Sequence, residues 1–483
     1  MRRIIAIAIV LVPCACRREL ELPEPQTQPP ARTDVVAPAV ANAGPGDLPE
    51  PAPPAGIAKV IAQVDPAELR ASVDRLVGFG TRHTLSDTVS PTRGIGAARK
   101  WIHERFAAAS IDRGGAAPLA VAFDSHRTKP DGKRIDREVD VVNVVATLPG
   151  TLPAAASRHY YVLAHYDSRA SDPMDATSDA PGANDDGSGV ALLLELARVL
   201  APRQLDATIV LVATAGEEQG LVGARAHAKA AKHNGTDVRA VLSFDIVGDP
   251  SMPDGSVRRD AIRVFSEGIP MVADAAAISE LRTLGGESDS RSRELARHVA
   301  MVAAWHHTAV QPMLVFRPDR FLRGGDHTAF AEQGFAALRF TELGEEYDRQ
   351  HQDVRVENGR KFGDTAEHVD PHYLAELTRM VAATLVHLAN APSAPADAKV
   401  IAAELTMDTT ITWAPAPEPD VAGYEVVWRA TTDGHWQHAR DAGNATTITL
   451  PLHKDDWLFG VRSYDAEGYR SEVAFCGALR PAK

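Results

Sequence analysis

Six residues of this chain could do metal chemistry together: His165, Asp185, Glu217, Glu218, Asp245 and His327. Imidazoles and carboxylates bind divalent cations through nitrogen and oxygen, and a neighbouring carboxylate can take a proton from an attacking water. Their setting matters more than their types. His165 directly follows the apolar run 159–164, Glu217 and Glu218 lie just beyond a run ending at Thr214, and Asp245 caps the run 238–244. Asp185 sits in Gly182-Ala183-Asn184-Asp185-Asp186-Gly187-Ser188-Gly189, where glycine permits a tight turn into a helix. His327 belongs to Gly324-Gly325-Asp326-His327-Thr328-Ala329-Phe330. Each has an ordinary reading by itself: Asp beside Gly is a common helix entry, paired Glu residues are commonly exposed, and a lone loop His commonly caps. The segment 182–189 lacks the alternating oxygen ligands of a calcium loop. Three metal-type positions at three strand exits favour the metal reading.

Those exits require strands and helices around them. Helical periodicity covers 66–79, 96–110, 190–200, 294–304 and 373–388, and β-rich runs cover 139–148, 159–164, 207–214, 238–244, 311–316 and 336–340. Continuous apolar runs such as Ile209-Val210-Leu211-Val212 suit strands covered on both faces. The alternation predicts an α/β three-layer sandwich around a mainly parallel, mixed sheet, whose ligands gather outside the carboxyl ends of its strands. After residue 392, short strands around Ile411-Thr412-Trp413, 424–428, 447–450 and 458–462 predict a small all-β sandwich over 393–483.

A net charge of -13 argues against a nucleic-acid or anionic-membrane partner. Arg2 and Arg3 precede an apolar run from Ile4 to Val12, followed by Cys14, Ala15 and Cys16. The run falls far short of the roughly 20 residues that cross a bilayer, so 1–16 reads as a signal peptide. Cys16 could carry a lipid, the one expected route to a membrane; a soluble periplasmic or secreted form is the alternative. Residues 17–56 are rich in Pro and Ala and read as a linker, leaving 57–392 as the catalytic domain. Only Cys476 lies in the body, so no disulfide is expected there.

His165-Tyr166-Asp167, the 182–189 segment, Gly216-Glu217-Glu218, Phe244-Asp245 and Asp326-His327 together resemble the ordered motif set of metallopeptidase family 28, over residues 57–391. The resemblance implies two Zn2+ per chain and a peptide or protein substrate. It implies that His165 and Asp245 hold one zinc, Glu218 and His327 the other, Asp185 bridges them, and Glu217 is the general base. Asp167 would orient a ligand His. Tyr347 or His351 would line the cleft, and Glu345 or Glu346 would greet a substrate ammonium, although a solvated acidic loop explains that stretch equally well. An aminopeptidase is the leading expectation; a carboxypeptidase, a glutaminyl cyclase-like enzyme and a non-catalytic envelope binding protein stay open. The C-terminal sandwich resembles a fibronectin type III domain, with Phe459 where that fold usually has a corner tyrosine.

Overall fold

A computed structural model describes residues 53–110, 117–403 and 405–479. The expected signal peptide, the lipid-site candidate Cys16 and nearly all of the expected linker fall outside the described residues. A short helix, α1 (Ala55–Ile61), starts inside the last residues assigned to that linker.

Eight strands form one mixed sheet in the order β1-β2-β4-β3-β5-β8-β6-β7. Its centre is parallel: β4 (Thr208–Thr214), β3 (Arg158–His165), β5 (Asp237–Phe244) and β8 (Ala337–Thr341) run side by side. On one flank, β2 (Val139–Leu148) pairs antiparallel with β4, and β1 (Ala120–Thr128) antiparallel with β2. On the other, β6 (Ala261–Ser266) is antiparallel to β8, and β7 (Gln311–Val315) is parallel to β6. Strands β1 and β6 were not visible in the sequence pattern. In β1 no residue is fully buried, so the edge strand lacks the apolar run that marks the central ones.

The central strands alternate with period two between two cores. Tyr160, Val162, Ile209, Leu211, Ala240 and Leu242 face a large core, and Tyr161, Leu163, Val210, Val212 and Val241 a smaller one. The large core is covered by α2 (Pro66–Val77), α3 (Gly94–Ala109), α4 (Gly187–Leu200), α7 (Arg291–Trp305) and α9 (Pro371–Asn390). The smaller is covered by α5 (Val222–His233) and α8 (Asp326–Ala331). The helix starts have local causes. Asp65 accepts from Ala67 N–H with Pro66 in the first turn, Asp370 caps α9 ahead of Pro371, and Asp186 accepts from Gly189 N–H at the start of α4.

The C-terminal residues form two four-stranded sheets. One contains β11 (Ala396–Ile401), β12 (Thr409–Ala414), β15 (Thr447–Leu450) and β18 (Gly477–Leu479); the other β13 (Val421–Ala430), β14 (His438–Gly443), β16 (Trp457–Asp465) and β17 (Ala474–Phe475). Ile411, Trp413, Tyr424, Val426, Trp428, Phe459 and Val461 pack between them.

This sandwich is bolted to α7 and α9. Arg429 pairs with buried Asp289 at 2.5 Å, Trp436 donates to Glu294 at 2.8 Å, and Arg297 donates to the Gly434 carbonyl at 2.7 Å. Deeper in the seam, Arg470 N–H donates to His387 Nε2 at 3.0 Å, and the His387 ring lies 5.2 Å from that of His298. His387 must therefore be neutral, with a lone pair on Nε2. Burial, with the Arg462 charge adding to it, lowers the His298 pKa to about 3. Burial likewise holds His387 well below its ordinary value.

In the unfolded chain these imidazoles take up protons near 6.5, whereas the folded chain resists until far lower pH. Stability is therefore retained above 6.5 and lost as pH falls below it. Each such group steepens the loss by roughly 1.4 kcal/mol per pH unit. H298L is expected to show a shallower fall of Tm between pH 6.5 and 4 than the unaltered chain; parallel curves in differential scanning calorimetry would refute the role of His298.

Candidate metal centre

The four central parallel strands end at one edge, and each delivers a polar group there. His165 is the last residue of β3; Glu217 and Glu218 follow β4 after a turn through Gly216; Asp245 follows β5; and the loop after β8 returns His351 to the same place. Asp185 arrives on the turn into α4.

Two groups of ligand atoms result, and they share one residue. His165, Asp185 and Asp245 form the first, and Asp185, Glu218 and His351 the second. Asp185 divides its oxygens between them. Its Oδ1 lies 3.1 Å from His165 Nε2, and its Oδ2 lies 3.1 Å from His351 Nε2. Glu218 Oε1 is 2.9 Å from His351 Nε2, and Asp245 Oδ1 is 3.7 Å from His165 Nε2. His165 Nε2 and Glu218 Oε1 are buried without a hydrogen-bond partner of proper geometry. Buried polar atoms in that state, converging from opposite sides of one carboxylate, suit cation ligands. The donors are nitrogen and oxygen with no thiolate, a set that suits zinc.

The turn carrying Asp185 is fixed from both sides. Asp364 accepts the N–H groups of Asn184 at 2.9 Å and Asp185 at 2.7 Å. Fully buried Arg82 donates to the carbonyls of Tyr166, Pro181 and Gly182 at 2.7, 2.5 and 2.8 Å. Gly182 has φ of +52°, and a Cβ there would meet Ser168 at 2.6 Å and the Asp185 carbonyl at 2.7 Å, so only glycine closes the turn.

Asp167 meets His165 through its main chain: His165 Nδ1 lies 3.1 Å from the Asp167 carbonyl. A carbonyl only accepts, so Nδ1 carries the proton and Nε2 offers its lone pair to the cluster. The Asp167 carboxylate does a second job, accepting the N–H groups of Glu217 at 3.3 Å and Glu218 at 3.2 Å.

The electrostatics follow the crowding of acids. Burial would depress His165, yet Asp167, Asp185 and Asp245 outweigh it and raise it well above its ordinary value. Burial is likewise overcome at His351, where Glu218 and Asp185 lift the pKa to about 10. The same carboxylate field that draws protons onto the imidazoles would hold a divalent cation in exchange for them. Glu217 is partly exposed. Burial, reinforced by Asp245 and Glu218 and opposed by His165, pushes its carboxyl well above the usual range.

His327 does not join the cluster. It stands at the start of α8, its Nε2 2.9 Å from the Pro318 carbonyl and 3.6 Å from Asp319. His351, expected only to line the cleft, takes the place foreseen for it. The sequence held a usable signal: His351 follows a central parallel strand, as do His165, Glu218 and Asp245, whereas His327 precedes one. Glu345 is also reassigned. It is buried, with Arg320 at 2.6 Å and Arg263 at 2.7 Å, so its charge is already matched and it is not open to a substrate ammonium. Tyr347 is exposed on the same loop.

H351A is expected to weaken zinc binding at least tenfold, and H327A to leave it within about twofold, measured by competition with a chromophoric chelator. Equal losses in the two variants would contradict the assignment.

The chain is similar in sequence to several known proteins. Residues 143–385 match Peptidase family M28. A probable zinc metalloprotease of Leptosphaeria maculans is 43% identical over 428 residues, covering 89% of this chain and 98% of its own. Another, of Pyricularia oryzae, is 44% identical over 425 residues, covering 87% and 84%. The crystal structure of LapB from Legionella pneumophila aligns with a TM-score of 0.49 at 18% identity, covering 70% of this chain and 77% of that one. With the family matched across the strands that build the cluster, the chain belongs to peptidase family M28.

Proposed function

We propose that the chain is an exported aminopeptidase that hydrolyses peptide bonds with two zinc ions. The observation that carries this reading is the division of Asp185 between two ligand groups, with partly exposed Glu217 beside them. Zinc bound there supplies a Lewis acid for the scissile carbonyl and for water. His165, Asp185 and Asp245 would hold one ion, and Asp185, Glu218 and His351 the other. Glu217 takes the proton of the attacking water and returns it to the departing amine. Asp167 keeps the 217–218 turn and the His165 tautomer in place throughout.

The choice of terminus rests on charge. A carboxypeptidase needs a cation for the substrate's terminal carboxylate, and the charges of two guanidinium groups beside the cluster, Arg339 and Arg320, are already matched by acids. Arg339 lies 2.8 Å from Asp245, and Arg320 lies 2.6 Å from Glu345. An α-ammonium finds the opposite environment. Export is supported by the signal-like residues 1–16 and by a body whose one cysteine among the described residues, Cys476, is buried. The reading of the C-terminal sheets as fibronectin type III-like is supported by their two-sheet architecture and by buried Trp413 and Tyr424.

The mature protein, with and without a strong chelator, is to be incubated with matched peptides free or acetylated at the N-terminus, and the products read by mass. Chelator-sensitive loss of N-terminal residues from the free peptides alone is expected, with two zinc ions bound per chain. Trimming from the other end would overturn the aminopeptidase assignment while keeping the metal centre; intact peptides and no bound zinc would favour a binding protein. In parallel, E217Q is expected to lower kcat by about a thousandfold with zinc still bound; a loss under tenfold would remove Glu217 as the base.

A further inference from the structure

Arg339 on β8 is fully buried at the cluster, yet neither the ligand set nor the proton transfers use it. Its Nη1 is ion-paired with Asp245 Oδ2 at 2.8 Å, stands 3.6 Å from Asp319 Oδ2 and donates to the Gly324 carbonyl at 3.3 Å, while Nε and Nη2 find no hydrogen-bond partner among the described residues. A guanidinium left in that state costs the fold stability. What it brings to this place is therefore its charge on Asp245 rather than a full set of hydrogen bonds.

Two observations say for what. The carboxylate of Asp245 is split: Oδ1 faces His165 Nε2 within the metal group, whereas Oδ2 is held by Arg339. Beyond the guanidinium runs the main chain at Gly325. A Cβ at that position would lie 2.2 Å from Arg339 Nη1 and 3.4 Å from Asp245 Oδ2. The missing side chain at 325 is what leaves room for the contact. Arg320, the other guanidinium in this region, is drawn away by Glu345 at 2.6 Å.

We propose that Arg339 is a positioning residue that restricts Asp245 to one-oxygen ligation and weakens it as a donor, so that this side of the centre holds zinc less tightly and keeps it a stronger Lewis acid. With Oδ2 engaged, Asp245 cannot turn to chelate with both oxygens. A carboxylate that shares its charge with a guanidinium also gives less to a cation, since outer partners tune the ligands they touch. Asp319, on the far side of Nη1, competes for the same charge.

The inference rests on the zinc reading above, and the test separates the two. Zinc affinity is to be measured by chelator competition for the unaltered chain, R339M and R339K, together with the pH profile of kcat/KM. R339M is expected to bind its weaker-held zinc about tenfold more tightly and to move the acidic limb of the profile to higher pH. R339K, which keeps the charge, is expected to stay near the unaltered chain in affinity. Should R339M fail to fold, G325A pushes the guanidinium off Asp245 without removing it, and a smaller shift in the same direction is expected. Zinc affinity unchanged or weakened in folded R339M, or in G325A in its place, would overturn the role of Arg339. An unaltered chain that takes up no zinc would instead sink the zinc reading itself.

Discussion

Asp185, Glu218 and Asp245 are all nearly fully buried, with Glu217 and Asp167 close behind them. Carboxylates brought together in a low-dielectric interior repel one another and lose hydration, so the arrangement persists only if positive charge is supplied nearby. Protonated imidazoles can supply some of it, and Arg339 supplies more at one end. The donor geometry suits a divalent cation for the rest. The local fold around the site can be understood as answering this one electrostatic demand.

The answer is delivered by main-chain geometry. Four parallel strands place their carboxyl ends at one edge, so three of them deliver ligands at or just past their ends and the fourth, β8, returns His351 through the loop that follows it. The turn into α4 is then pinned by groups that never touch a reacting atom. Arg82 gathers three carbonyls beneath it, Asp364 gathers two N–H groups above it, and the Asp186 carboxylate accepts from both His165 N–H and Gly189 N–H. Such contacts fix a ligand to a few tenths of an ångström, which a metal site requires.

Much of this was legible in the sequence because the central strands are covered on both faces and read as unbroken apolar runs. The strand exits at His165, Thr214 and Phe244 located most of the cluster. Where the reading went astray, the reason is physical. A histidine in a glycine-rich loop looks the same whether it faces a cluster or a carbonyl, so His327 reads as a ligand, whereas it is the loop beyond β8 that folds back over Asp185 and Glu218 and brings His351 to them. Ion pairs between distant segments carry no local pattern. Neither Arg339 on Asp245 nor Arg320 on Glu345 can be read from spacing, because each partner lies on a different element. Edge strand β1 escaped notice for the opposite reason: solvent on its sides relaxes the demand for apolar residues.

The attachment of the C-terminal sandwich has its own consequence. Asp289, just ahead of α7, answers both Arg297 and Arg429, Glu294 on α7 holds Trp436, and α7 packs on β6 and β8. Cutting the chain near residue 393 would take Arg429 from Asp289 and Trp436 from Glu294, leaving Arg297 to both acids, and would open the flank of a helix that braces the strand bearing Arg339. The sandwich is thus a keystone of the enzyme body rather than a detachable bead. Domain shuffling could exchange it only for another module offering the same arginine and tryptophan to that helix.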